Sequence, residues 1–195
     1  MIKVLQLKII LEQTNPVIWR TIQVPEFYPF FYLHNIIQIV MGWKNSHLFE
    51  FDYKGYRIAM LMSDIDDFDS RSTLDCQEIM INQIFTQEGD KVNYIYDFGD
   101  DWKHSIILEK SMPIDNRKIY PVCIDGEKQC PPEDCGGIHG FYEMLDAFNG
   151  DDENSKQEYI DWLGCSFNPE DFNLKTINNQ LKDIDGYIDS VWDDE

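Results

Sequence analysis

The chain has 195 residues, of which 43% are hydrophobic and 14% aromatic, which is enough apolar surface for a sizeable core. Its 36 acidic and 16 basic residues give a net charge of −20, which repels phosphate backbones and disfavours direct nucleic-acid binding. The same charge fits a metal cation, a basic protein partner, or simply a solvated acidic surface.

The sequence contains no signal for a membrane or for secretion. No apolar segment approaches the roughly 20 residues of a membrane-spanning helix. Residues 1–12 alternate and carry Lys3, Lys8 and Glu12, so they predict a strand rather than a signal peptide. Without a secretion signal, the five cysteines favour thiols or a metal site over a disulfide framework. We therefore expect a cytoplasmic protein.

The first two thirds of the chain are predicted to be mainly sheet. Helices are expected at residues 30–41, where Phe30, Leu33 and Ile37 share one face, and at residues 73–85. Residues 63–72 are acidic but lack the glycine and closing glutamate of an EF-hand, which predicts a solvated loop. Alternating or β-branched stretches predict strands at residues 3–11, 17–24, 47–51, 56–60, 91–98, 103–109 and 119–124.

The last third is predicted to be helical after an irregular loop. Residues 126–137 have three glycines, two prolines and no periodicity, and helices follow at 138–148, 157–163 and 174–188. Segregated strands and helices predict one α+β domain over residues 1–195. We expect an antiparallel or mixed sheet of about six or seven strands, with helices on one face and a helical C-terminal third. Residues 1–124 would hold the sheet with one or two helices. Residues 125–195 would hold the irregular loop, as a metal-held knuckle, and the remaining helices.

The first candidate site is a zinc site in this loop. Cys123, Cys130 and Cys135 are followed by His139 four residues later, and tetrahedral zinc takes four such ligands. A structural metal would also stabilise a segment that has no apolar periodicity. Packed free thiols are the main alternative, since no C-x2-C pair is present, and a disulfide is a third.

The second candidate site is on the hairpin predicted around residues 97–104. A cluster of carboxylates with a histidine can hold a divalent metal, which activates a bound water for hydrolysis, or can form a general base without a metal. The alternative is structural, with the aspartates bonding turn amides and the histidine pairing with an acid. The candidate residues are Asp97, Asp100, His104, Glu133 and Asp134.

Several motifs together resemble the plasmid pRiA4b ORF-3-like family, in the order that the family has. They span nearly the whole chain, and the two most specific are YDFGDDWKH at residues 96–104 and PPEDCGG at residues 131–137. The others are PVIWR at 16–20, VP at 24–25, LH at 33–34, IQ at 37–38, MGW at 41–43, HLFEF at 47–51, Glu109, WL at 162–163 and FNPE at 167–170.

The resemblance implies little about chemistry. The family is largely uncharacterised, and its members look like cytoplasmic bacterial and archaeal proteins, some encoded on plasmids or beside transposases. At the position of His139 it more often has a residue that cannot bind metal, which departs from the zinc-site pattern.

Two hypotheses follow from the sequence. The first is a non-catalytic accessory or interaction protein, linked to mobile elements, with a metal-held PPEDCGG loop. The second is a metal-dependent hydrolase that uses Asp97, Asp100 and His104 as ligands and Glu133 or Asp134 as the base.

Overall fold

The computed structural model describes residues 2–61 and 72–192, so nearly all of the predicted acidic loop at residues 63–72 lies outside the described part. The strands are β1 (Lys3–Leu11), β2 (Ile18–Pro25), β3 (Phe49–Tyr53), β4 (Tyr56–Ala59), β5 (Thr73–Asp75), β6 (Lys91–Tyr96), β7 (Trp102–Pro113) and β8 (Val122–Glu127). The helices are α1 (Phe30–Met41), α2 (Ile81–Ile84), α3 (Gly137–Asn149), α4 (Glu153–Leu163), α5 (Leu174–Leu181) and α6 (Ile184–Trp192).

The eight described strands form one sheet in the order β5-β4-β3-β6-β7-β1-β2-β8. Neighbouring strands are antiparallel, except for β4 and β5, which are parallel. The predicted α+β class is confirmed, with one strand more than the sequence indicated.

One face of the sheet and helix α1 form the core. Alternate residues of β1 point to this face, and Leu5, Leu7, Ile9 and Leu11 are buried there. Eleven of the twelve residues of α1 are buried, so this helix is covered almost all round. Helices α5 and α6 pack against α1, which explains why its polar residues are also inside.

The prediction of a helix over residues 73–85 was wrong. The chain first forms β5 beside β4, where Cys76 N–H donates to the Ala59 carbonyl at 3.0 Å, and only residues 81–84 are helical. The apolar spacing of residues 73–85 favours a helix, but hydrogen bonding of residues 73–75 to the edge strand β4 makes the segment begin as a strand.

The predicted helix at 174–188 is two helices, α5 and α6. Asp183 lies between them, and a Cβ atom on Gly186 would be 2.7 Å from its carboxylate. The carboxylate thus stands over the first turn of α6, where N-cap side chains lie. Within the described residues, none of the helices is both long and apolar enough to cross a bilayer.

Candidate metal centre

Three segments that are distant in sequence meet at one end of the sheet. They are residues 43–48 before β3, the hairpin turn at 97–101 between β6 and β7, and the loop at 128–136 between β8 and α3. The indole N–H of Trp43 donates to the Pro131 carbonyl at 2.9 Å, and the Lys44 amide donates to Oε2 of Glu133 at 3.0 Å. These bonds join the first segment to the PPEDCGG loop.

Asp97 is fixed by the hairpin turn that it begins. It has a left-handed backbone with φ of 56°, and its Oδ1 accepts from the amides of Gly99 at 2.8 Å and Asp100 at 3.3 Å. This is the turn-capping role that aspartate often has. Because Oδ1 is used in this way, Oδ2 remains to face His47, whose Nε2 lies 3.6 Å away.

His47 lies between Asp97 and the PPEDCGG loop. Its Nε2 is 3.2 Å from Oδ1 of Asp134, and its ring packs edge-on against Tyr96 with centroids 5.8 Å apart. Within the described residues, His47, Asp97 and Asp134 are the one group of three or more metal-type side chains whose ligand atoms all lie within 4.8 Å. The aspartates differ in exposure, with 12% of the Asp97 side chain and 70% of the Asp134 side chain accessible.

Glu133 anchors the loop beside this group. The Tyr96 hydroxyl donates to its Oε1 at 2.5 Å and accepts from the Ser46 amide at 3.0 Å. Burial and this hydrogen bond to Glu133 raise the pKa of Tyr96, so the phenol stays a donor. Tyr187 of α6 also has a raised pKa, of about 12. Burial is the main cause, and the charge of Glu133 is the second.

A buried polar network holds the segment that carries His47. Gln38 Nε2 donates to the Tyr94 hydroxyl at 3.0 Å, which lies 2.9 Å from Nδ1 of His34, and Nε2 of His34 lies 2.6 Å from Oδ1 of Asn45. Burial lowers the pKa of His34 to about 3, so the imidazole is neutral and offers one donor and one acceptor. The network connects α1 to the residue two positions before His47.

The structure separates His104 from Asp97. His104 pairs with Tyr94 in the sheet register, so its ring points into the core, where it is fully buried. Its Nδ1 lies 3.0 Å from the Trp102 carbonyl, and burial lowers its pKa to about 3. Alternation along β7 thus places His104 with the core residues, not with the turn carboxylates. Asp100, another predicted ligand, is also outside the metal-type group.

The structure does not gather the predicted zinc ligands. Cys130 Sγ lies 3.1 Å from Met41 Sδ, while Cys123 and Cys135 contact backbone carbonyls of their own segments, and His139 is exposed on α3. All five cysteines are free thiols. Burial raises the pKa of Cys123 to about 11 and that of Cys135 to about 12, which favours the thiol over the thiolate that zinc requires.

The observed group has the chemistry of a cation site. One imidazole and two carboxylates suit borderline or hard divalent ions. Ligand atoms of a tetrahedral ion with bonds near 2.1 Å lie about 3.4 Å apart. The 3.2 and 3.6 Å separations of His47 Nε2 from the carboxylate oxygens are close to that value. Three protein ligands would leave further positions for water.

The sequence does not single out His47 as a ligand. Residues 47–51 predict a strand and match one motif of the family, and nothing in the local sequence marks the histidine as metal-binding. Its position becomes informative only through the pairing of Phe49 with Tyr96, because this register brings the residues before β3 beside Asp97.

The comparisons with known proteins identify relatives over most of the chain. A family model described as plasmid pRiA4b ORF-3-like protein matches residues 3–176. An uncharacterised protein, y4hQ of Sinorhizobium fredii, is 30% identical over 183 residues, which are 93% of this chain and 92% of that protein. The crystal structure of MM3350 from Methanosarcina mazei Go1, a protein of unknown function, has a TM-score of 0.80 and 34% identity, covering 90% of this chain and 97% of that one.

Proposed function

This chain belongs to the plasmid pRiA4b ORF-3-like family, and we propose that it binds a divalent metal ion through His47, Asp97 and Asp134. The observation that carries the proposal is the convergence of these three side chains from three separate segments. The ion would tie the PPEDCGG loop to the Asp97 hairpin and to the segment before β3.

The local charge supports a cation. Asp97 and Asp134 contribute two carboxylates, and Glu133 adds a third next to them. The Lys103 ammonium, at the start of β7 after the hairpin turn, pairs with Asp101. A divalent ion would offset the repulsion between these carboxylates.

Metal titration of purified protein tests this proposal. Protein prepared without affinity metal or chelator would be titrated with Zn²⁺, Mn²⁺ and Co²⁺ by calorimetry. We expect one site per chain, and an affinity at least about 100-fold lower in His47→Gln and Asp134→Asn, because each removes a direct ligand.

Two variants serve as matched controls. His139→Gln removes an exposed histidine, and Asp101→Asn removes a carboxylate from the same hairpin turn, yet neither residue belongs to the group. Both should bind the ion as the parent protein does. No binding by the parent protein, or equal loss in all four variants, would contradict a metal site at His47, Asp97 and Asp134.

Metal-dependent hydrolysis is a second candidate function. It is favoured by the exposure of Asp134, which is 70% accessible, because an ion bound there would face solvent and could carry a reactive water. Glu133 is unsuited as the base in this arrangement, since both its oxygens accept hydrogen bonds from Tyr96 and Lys44. The metal-bound water itself would be the nucleophile.

An assay separates the hydrolase from a non-catalytic accessory protein. The metal-loaded protein would be tested on bis(p-nitrophenyl) phosphate and p-nitrophenyl acetate. Turnover that is lost in Asp134→Asn supports hydrolysis. Metal binding without turnover on either ester supports the accessory role, in which the ion fixes the loop. Five free cysteines fit the reducing cytoplasm, which we propose as the location.

A further inference from the structure

A largely apolar groove lies at the C-terminal end of α1. It has a volume of about 390 Å³ and lies between α1, α5, the loop after β8 and the segment that follows α4. Met41, Cys130, Phe167 and Ile177 are among the side chains that line it. This volume is in the range of about 300–1,000 Å³ that binding pockets occupy.

The one arginine of the groove is already saturated with acceptors. Arg20 donates to the carbonyls of Val40, Trp19, Glu127 and Lys128 and to Cys130 Sγ, at distances of 2.7 to 3.2 Å. A guanidinium has five N–H donors, so none remains for a bound anion. The groove is therefore not an anion site, although it contains a buried cation.

The charges around the groove favour a basic occupant. Residues 137–192 contain twelve acidic and three basic residues, a net charge of −9. Asp171 lines the groove and is exposed to solvent. The C-terminal end of α4 reaches the groove at Leu163, and a helix C-terminus carries partial negative charge. The C-terminal end of α1 is already compensated by Arg20, which donates to the Val40 carbonyl.

Helix α4 reaches the groove at Leu163 and carries an exposed tryptophan at the preceding position. None of its residues is fully buried, and the Trp162 side chain is 48% exposed next to Leu163. An exposed tryptophan beside an apolar groove is typical of protein–protein contact surfaces. Trp162 makes a ring contact only with Tyr159 of its own helix, at 6.4 Å, among the described aromatic residues.

We propose that this groove docks a basic segment of a partner protein. An apolar side chain of the partner enters between α1 and α5, and a neighbouring lysine or arginine faces Asp171 and the C-terminal end of α4. Burial of the partner's apolar side chain in the groove contributes binding free energy, and the charge complementarity contributes specificity and fast association. This inference rests on the groove alone and does not depend on the proposed metal site.

Selection from a random dodecapeptide display library tests the proposal with defined probes. The metal-free full chain is the bait, and peptides that also bind the Thr176→Arg variant are removed. Thr176 is an exposed residue of the groove, so arginine there adds bulk and positive charge without touching the core. Asn116→Arg adds the same charge to the exposed loop between β7 and β8 and serves as the control.

We expect enriched peptides that combine lysine or arginine with an aromatic or aliphatic residue. Synthetic copies should bind the parent and Asn116→Arg equally, and Thr176→Arg and Trp162→Ala at least tenfold more weakly, with affinity that falls as salt rises. Enrichment of acidic or purely apolar peptides would overturn the proposal. So would a selection in which no peptide binds the parent protein more strongly than the Thr176→Arg variant. So would a dimer of the parent protein that Thr176→Arg converts to a monomer in sedimentation, since the occupant would then be a second copy.

Discussion

The hydroxyl of Tyr96 donates a 2.5 Å hydrogen bond to Oε1 of Glu133, which joins the end of β6 to the PPEDCGG loop. The next residue along that loop is Asp134, whose carboxylate faces His47 at 3.2 Å. Tyr96 thus positions the loop without belonging to the metal group itself.

Removing this hydroxyl should weaken metal binding without unfolding the protein. In Tyr96→Phe, Glu133 keeps only the Lys44 amide as a partner, and Asp134 is less well placed. Loss of an outer-shell partner typically lowers metal affinity by about 10- to 100-fold. Calorimetry with Zn²⁺ would measure the change, and Tyr56→Phe, at an exposed position of β4, is the control. An unchanged affinity in Tyr96→Phe would remove Tyr96 from the account.

The close approach of two backbones should make Gly137 intolerant of alanine. A Cβ atom there would lie 2.5 Å from the Asp100 carbonyl oxygen, so the loop and the hairpin turn would have to separate. Gly164 has a similar φ, 72° against 66°, but a Cβ atom there would meet nothing within 4 Å. Both alanine variants carry the strain of a positive φ, but only Gly137→Ala adds the clash with the Asp100 carbonyl. The difference between their free energies of unfolding therefore measures that clash.

We expect Gly137→Ala to lower the free energy of unfolding by about 1–3 kcal/mol more than Gly164→Ala, as overpacking does. Urea denaturation would measure both values. Gly137→Ala should also bind metal more weakly, since it moves Asp134 relative to Asp97. Equal stabilities of the two variants would argue against tight packing of the loop on the turn.

Two buried histidines should make the fold sensitive to mild acid. Burial lowers the pKa of His34 and His104 to about 3, whereas the unfolded residues bind a proton near the ordinary value of 6.5. Between these two pH values the unfolded state binds more protons than the folded state. The contribution of the two histidines to the free energy of unfolding is therefore fully present above pH 6.5 and is lost as the pH falls towards 3.

Between pH 7 and pH 5.5 the two histidines together should lower the free energy of unfolding by about 2 kcal/mol. Carboxylates with ordinary pKa values titrate little in this interval. Urea denaturation at the two pH values would measure the loss, and His104→Leu should show about half of it. A loss of the same size in His104→Leu would contradict the role given to His104.

The cysteines offer a direct comparison between the zinc site predicted from the sequence and the observed group. Cys135→Ser removes the thiol nearest to Asp134 in the chain but none of the three converging ligands. We expect metal stoichiometry and affinity to remain unchanged in this variant, measured by elemental analysis and calorimetry. Loss of the metal would instead place it in the cysteine loop.

Much of the fold could be predicted from local patterns. The strongly apolar strands β1 and β6, and the helix α1 with its stop at Gly42, agree closely with the structure. The failures are at places where distant contacts decide. Pairing with β4 turns residues 73–75 into a strand, and the register of β6 with β7 sends His104 into the core.

The candidate site was half visible in the sequence. Asp97 and Asp134 were selected because aspartates at turns and in a glycine-rich loop are conspicuous. His47 does not stand out in the sequence because its position beside Asp97 arises from long-range strand pairing, and the spacing of the cysteines does not fix the direction of a thiol. Cys130, for example, faces Met41 and Arg20 inside the core.

Anomalous diffraction from crystals grown with Zn²⁺ would locate the bound ion. We expect one peak at the zinc absorption edge, about 2.0–2.2 Å from Nε2 of His47 and from a carboxylate oxygen of each of Asp97 and Asp134. Asp134→Asn crystals should lack this peak. No peak in the parent protein, or a peak bound by Cys123, Cys130 or Cys135, would contradict the account.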